Sequence, residues 1–169
     1  MTVIVSPLER VAELIAARRP ARLVSLLSPD GLKPPQWRHG PHLSLRFHDI
    51  GEPREGLTCP DVAMIDRLLA FGREWREPGP LLAHCWFGIS RSPAAAYILA
   101  CAADPARAED EIAEALRMAA PEATPNAMMV RLADERLGRE GRMARAIERI
   151  GRGREASCGT PFELRARPI

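Results

Sequence analysis

Cys85 and Arg91 stand six positions apart in the stretch Leu81-Leu82-Ala83-His84-Cys85-Trp86-Phe87-Gly88-Ile89-Ser90-Arg91-Ser92-Pro93-Ala94-Ala95-Ala96. A cysteine sulfur is a strong nucleophile as thiolate, and an electropositive setting favours that form. A guanidinium grips phosphate oxygens as a bidentate fork. The stretch opens as a short apolar run, which predicts a buried strand. A Gly-containing loop follows, then an Ala-rich segment that predicts a helix, with Pro93 in its first turn. A loop of this kind points several backbone N–H groups at one place, and the helix N-terminus adds positive potential. A nucleophile, an amide cradle and a fork in one loop suit phosphoryl transfer. The competing reading is an inert cysteine buried at a strand end.

The run His84-Cys85-Trp86-Phe87-Gly88-Ile89-Ser90-Arg91-Ser92 resembles the signature loop of the cysteine-dependent protein tyrosine phosphatases. The size of the chain resembles the small dual-specificity branch. The resemblance implies that Cys85 attacks phosphorus and forms a phosphocysteine. Backbone N–H groups of Trp86, Phe87, Gly88, Ile89, Ser90 and Arg91 would hold the phosphate, with the Arg91 side chain gripping two oxygens. The Ser92 hydroxyl would favour departure of the sulfur, or serve as a plain helix cap. His84 would orient the loop. The resemblance also implies an aspartate on a loop roughly three dozen residues before the cysteine, acting first as general acid and then as general base. Asp49 fits that position. Asp61 is the rival, and it also fits a charge near a helix N-terminus. Pro125-Asn126 resembles a pair found after the signature helix, whose Asn supports the loop; an ordinary N-cap fits Asn126 as well. Arg131 stands where a Gln often follows in such enzymes, and Trp86-Phe87 is bulkier than the commonest filling.

The implied activity is hydrolysis of phosphate monoesters, on phosphotyrosine or phosphoserine/threonine of a protein or on a small phosphate ester, with no metal and no cofactor. Two alternatives stand beside it. One is a phosphate-binding pseudophosphatase with the cradle but no useful turnover. The other is an Arg-rich interaction module, because Arg136, Arg139, Arg142, Arg145 and Arg149 recur at three- and four-residue steps. Glu135, Glu140 and Glu148 are interspersed with them, which suits a solvated helix face.

The chain has 169 residues and a formal net charge of +2, so bulk charge points to neither nucleic acid nor membrane. Lys33 is the single lysine. Cys59, Cys85, Cys101 and Cys158 lack metal-type spacing, and a reducing cytoplasm fits a usable thiol. A regulatory disulfide with Cys85 is the alternative for the other three.

The elements that must position these groups read as follows. Val3-Ile4-Val5 predicts a strand, and Ser6-Pro7 with Glu9 predicts a capped helix start. Arg22–Leu27 predicts a central strand, and His42–Asp49 alternates as a strand ending at the acid. Asp49 then opens a loop free to move. Leu32–Pro41, with three prolines and Trp37, predicts a connection that either touches substrate or packs Trp37 on the core. Helices follow from Asp61 to Trp75, through the signature helix, over 107–119, and from Asn126 to Ile150 with weak points at Gly138 and Gly141. This pattern predicts an α/β fold with a central, mostly parallel sheet of four to five strands flanked by helices. The resemblance makes it a phosphatase-type three-layer fold. Residues 1–150 read as one cysteine-phosphatase-like domain and 151–169 as a loosely docked C-terminal extension.

Overall fold

In a computed structural model of the protein, residues 1–166 are described; Arg167, Pro168 and Ile169, the end of the expected extension, lie outside the described residues. The strands are β1 (Thr2–Pro7), β2 (Arg22–Leu27), β3 (His42–Arg46), β4 (Leu81–Cys85) and β5 (Phe162–Arg165). The helices are α1 (Val11–Arg18), α2 (Val62–Arg73), α3 (Arg91–Ala103), α4 (Glu109–Ala119), α5 (Ala127–Arg136) and α6 (Arg142–Ile150). The sheet runs β3-β2-β4-β1-β5. Its first four strands are parallel, and β5 is antiparallel to β1.

Strand side chains alternate between two faces, and the core divides accordingly. Val3, Val5, Val24, Leu26, Leu81 and Ala83 join the large apolar cluster built with helices α2 to α6. Ile4, Leu23 and Leu82 join a smaller cluster with Val11, Leu14 and Ile15 of α1 and with Trp37. The chain is therefore a three-layer α/β sandwich. Trp37 packs on the α1 side, which resolves its two readings in favour of packing. Helix α3 is buried from Arg91 through Cys101. A helix apolar all round belongs in the interior, and its alanines let it lie close under the sheet. No helix among the described residues is long and apolar enough to cross a membrane.

Three expectations are corrected. Ser6 caps no helix: β1 runs through Pro7, paired with Cys85, the Ser6 hydroxyl donates to the Pro7 carbonyl at 2.7 Å, and Pro7 is instead the N-cap of a 3-10 turn, Leu8–Arg10, that leads into α1. Strand β5 ends opposite Val5, so Pro7 has a strand neighbour on one side only, where a missing N–H is tolerated. The helix expected over 126–150 is two helices. Gly138, Glu140 and Gly141 all have positive φ, and the buried Asp134 carboxylate accepts hydrogen bonds from the amides of Gly141 (2.6 Å), Met143 (2.6 Å) and Ala144 (3.1 Å). The third correction concerns the extension. Far from being loosely docked, its residues Phe162–Arg165 add the edge strand β5, with Phe162 and Leu164 buried.

The sheet centre also holds a polar chain. His84, fully buried on β4, places Nε2 2.6 Å from the Ser25 hydroxyl, which lies 2.9 Å from His42 Nε2. One hydroxyl hydrogen serves two ring nitrogens, so one histidine accepts and the other donates. Burial pushes His84 down from 6.5 to about 4, His42 adds to the shift, and the Cys85 backbone opposes it.

Two outcomes are expected. Asp134→Ala strands three amides and should cost about 2–3 kcal/mol in urea unfolding, with little change in the far-UV spectrum. His84 binds its proton less tightly folded than unfolded. Its contribution is complete above pH 6.5 and lost as pH falls towards 4. Stability should drop by roughly 3 kcal/mol across that window, and His84→Asn should flatten the profile there.

Candidate active site

The parallel register brings Pro7 of β1 beside Cys85 and Ser25 of β2 beside His84. Cys85 therefore ends the central strand at the carboxyl edge of the sheet, where ligands of open α/β sheets bind. Residues 86–90 form the loop, and α3 begins at Arg91.

The loop's carbonyls are anchored outwards. Trp86 O accepts from the Leu8 amide (3.1 Å), Phe87 O from Gly159 (2.8 Å) and Ile89 O from Thr124 (2.8 Å). Ser90 O accepts from Ala94 (3.0 Å) and Asn126 (3.3 Å). The amides of Trp86 to Ser90 donate to no partner among the described residues. Gly88 has φ +71°, and a Cβ there would meet the Pro7 nitrogen at 2.7 Å. Only glycine meets both conditions without strain.

Cys85 is 2% exposed, and the Ser92 hydroxyl donates to its Sγ at 3.1 Å. Ser92 thus contacts the sulfur and makes no capping bond. Arg91 is 5% exposed. Its Nη1 donates to Phe47 O (3.1 Å) and the Ser28 hydroxyl (3.2 Å), which fixes one arm of the fork to the scaffold. Its Nε is buried without a hydrogen bond, 3.9 Å from Asp49 Oδ2. A buried guanidinium N–H without an acceptor is costly, and an incoming oxyanion would satisfy it.

Asp49 lies just beyond β3. Its Oδ1 accepts from the Ser90 hydroxyl (2.7 Å) and from Asn126 Nδ2 (2.8 Å). Asn126 combines both of its expected roles: its Oδ1 caps α5 through the Met129 amide (2.9 Å), while Nδ2 also reaches Ile50 O (3.1 Å). Arg131 Nη2 donates to Gly51 O at 2.6 Å. The acid loop, read from sequence as free to move, is stapled to the signature loop and to α5. Asp61 is elsewhere: it is the N-cap of α2, accepting from the Met64 amide at 2.7 Å. His84 lies under the loop in the Ser25 chain, and its Nδ1 makes no hydrogen bond. Ser28, Ser25 and the amides of Thr124 and Gly159 escaped sequence reading. Only the three-dimensional register reveals them.

The remaining cysteines are free thiols. Burial pushes Cys101 up to about 12. Cys158 rests 3.6 Å from Phe87 O at the loop's rim. The arginine stripe is mostly an exposed face, and Arg139 is the one of its five members that is buried. Arg136 pairs with Asp66 (2.7 Å), Arg139 and Arg142 share the buried Glu109 (3.0 and 3.2 Å), and Arg149 pairs with Asp110. Those pairs tie α5 to α2, and α6 with the turn before it to α4.

No family model matches the chain, and no curated protein does. Solved structures do. The Yvh1 phosphatase domain from Chaetomium thermophilum is 20% identical with a TM-score of 0.58, over 83% of this chain and 93% of that one. Human DUSP28 is 18% identical with a TM-score of 0.62, over 82% and 94%. The human tyrosine phosphatase-like serine/threonine/tyrosine-interacting protein is 16% identical with a TM-score of 0.59, over 82% and 92%. With its strand order, its buried signature helix and these neighbours, the chain has a dual-specificity-phosphatase-like fold.

Proposed function

We propose that the protein is a cysteine-dependent phosphatase that hydrolyses phosphate monoesters on phosphorylated proteins. The observation that carries this reading is the loop between Cys85 and Arg91, four of whose five carbonyls are engaged by backbone amides while its own amides donate to no partner among the described residues. Such preorganised donors stabilise charge on transferring oxygens without reorganisation.

In the first step Cys85 Sγ attacks phosphorus. The S–P bond forms as the P–O bond to the leaving group breaks. Amides of residues 86–91 and the Nε side of Arg91 hold the three equatorial oxygens. Asp49 gives its proton to the leaving oxygen. Its Oδ1 is occupied by Ser90 and Asn126, so Oδ2 is the oxygen that carries that proton. In the second step the Asp49 carboxylate takes a proton from water, the water oxygen bonds to phosphorus, and the S–P bond breaks. The Ser92 hydroxyl, already on Sγ, stabilises the departing thiolate. His84, Ser28 and Asn126 act as positioning residues.

A phosphate-binding module without turnover would use the same cradle, and kinetics separates the two. Wild type should hydrolyse p-nitrophenyl phosphate and Cys85→Ser should not; equal rates for the two proteins reject the enzyme. Asp49→Asn should lower kcat by about 10²-fold or more on phosphoserine peptides, and less on aryl phosphates, whose leaving group needs the proton less.

A further inference from the structure

Trp86 and Phe87 follow the nucleophile directly, yet the two residues are 40% and 53% exposed. Leu32 is 55% exposed. These three line one cavity of about 330 Å³, with Leu8, Glu9 and Cys158 among its other walls. The remaining exposed large apolar side chains among the described residues, Leu57, Val62 and Met118, do not line it. Exposed apolar side chains that converge on one concavity mark a binding surface, whereas single scattered ones do not.

The position of this cavity ties it to the cradle. Leu8 follows β1, Leu32 follows β2 and Trp86 follows β4, so its walls rise from the carboxyl ends of three adjacent parallel strands. The loop that presents the amides is itself one wall. Ligand pockets start at about 300 Å³, so the volume admits one side-chain-sized group. The Trp86 and Phe87 rings, tilted by 58° with centroids 6.1 Å apart, pack against each other and make one continuous apolar wall.

Charge narrows the occupant. The lining contains no lysine or arginine, and Glu9 is its one carboxylate. A second phosphate, as in a polyphosphorylated sugar or a nucleotide chain, would meet no cation there and would face Glu9. The cavity also flanks the loop. In-line attack sends the ester oxygen directly away from Sγ, so the cavity receives a group attached beside the phosphorylated residue. Resting on the phosphatase reading above, we infer that the site takes phosphopeptides with an aromatic or branched aliphatic residue next to the phosphorylated one, seated on Trp86, Phe87 and Leu32.

The test uses matched phosphopeptides that differ only in the residue immediately before or after the phosphorylated position: Leu, Phe, Ser or Asp. Wild type should favour Leu or Phe over Asp by about tenfold or more in kcat/KM, the scale at which an apolar pocket discriminates. Leu32→Ser should shrink that ratio several-fold when each rate is normalised to p-nitrophenyl phosphate in the same variant. Glu9→Gln should selectively improve the Asp peptides. Equal rates across the set, a ratio unmoved by Leu32→Ser, or faster turnover of phosphoinositide vesicles than of any peptide would overturn the inference. Absence of p-nitrophenyl phosphate hydrolysis would instead sink the enzyme reading. The same peptides are then titrated against the full chain by tryptophan fluorescence. Tighter binding of the Leu and Phe peptides keeps the apolar subsite, and equal affinity removes it.

Discussion

The site depends on where four carbonyl oxygens point. A peptide unit carries its C=O and N–H on opposite sides, so fixing a run of carbonyls outwards turns the intervening amides inwards. Here the anchors come from Leu8, Gly159, Thr124 and the pair Ala94 and Asn126, so several different parts of the chain hold one short loop. The helix behind the loop is buried for eleven residues and cannot shift without disturbing the main core. Preorganisation of this kind is what phosphoryl chemistry asks of a protein, since positioning and charge carry most of it.

Two polar assemblies complete the frame. One runs from the acid loop through Asp49 to Ser90 and Asn126, and so couples the loop after β3 to the start of α5. The other runs beneath Cys85 through His84, Ser25 and His42. The first lies at the half-open rim and orients one carboxyl oxygen. The second is fully buried at His84 and Ser25 and half-buried at His42 on the edge strand. Its low dielectric makes each satisfied contact rigid and any added charge expensive. The fork of Arg91 sits between them, tied by Nη1 to Ser28 and Phe47.

Much of this was legible in the residues, for identifiable reasons. Short-range patterns gave the strand–loop–helix around Cys85, the alternation of His42–Asp49 and the apolar face of α2, because each is written in consecutive positions. Asn126 read equally well as cap and as support, and the structure uses its two side-chain atoms for the two tasks. What the residues did not reveal depends on register or on distant partners. The contact of Ser25 with both histidines exists only because β2 lies between β3 and β4. Asp134 reaches across a break to cap the next helix, which no local cap pattern displays. Glu109 collects Arg139 and Arg142 from another segment, so one member of an otherwise exposed stripe, Arg139, is an internal tie. Strand β5 is four residues among Arg and Pro, too short for its alternation to stand out.

The amide of Gly159 on the Phe87 carbonyl has a temporal side. A Cβ at that glycine would lie 2.9 Å from the Gly88 oxygen, so the two segments touch backbone to backbone. During synthesis the chain emerges from its amino end, and Phe87 is made long before Gly159. Strand β5, which brings Gly159 home, pairs with β1, which is made well before it. A nascent chain can therefore lay down the parallel strands early while the loop still lacks one of its outer fastenings. The cradle's last outer fastening is thus a late event, made only after the strands that it closes over.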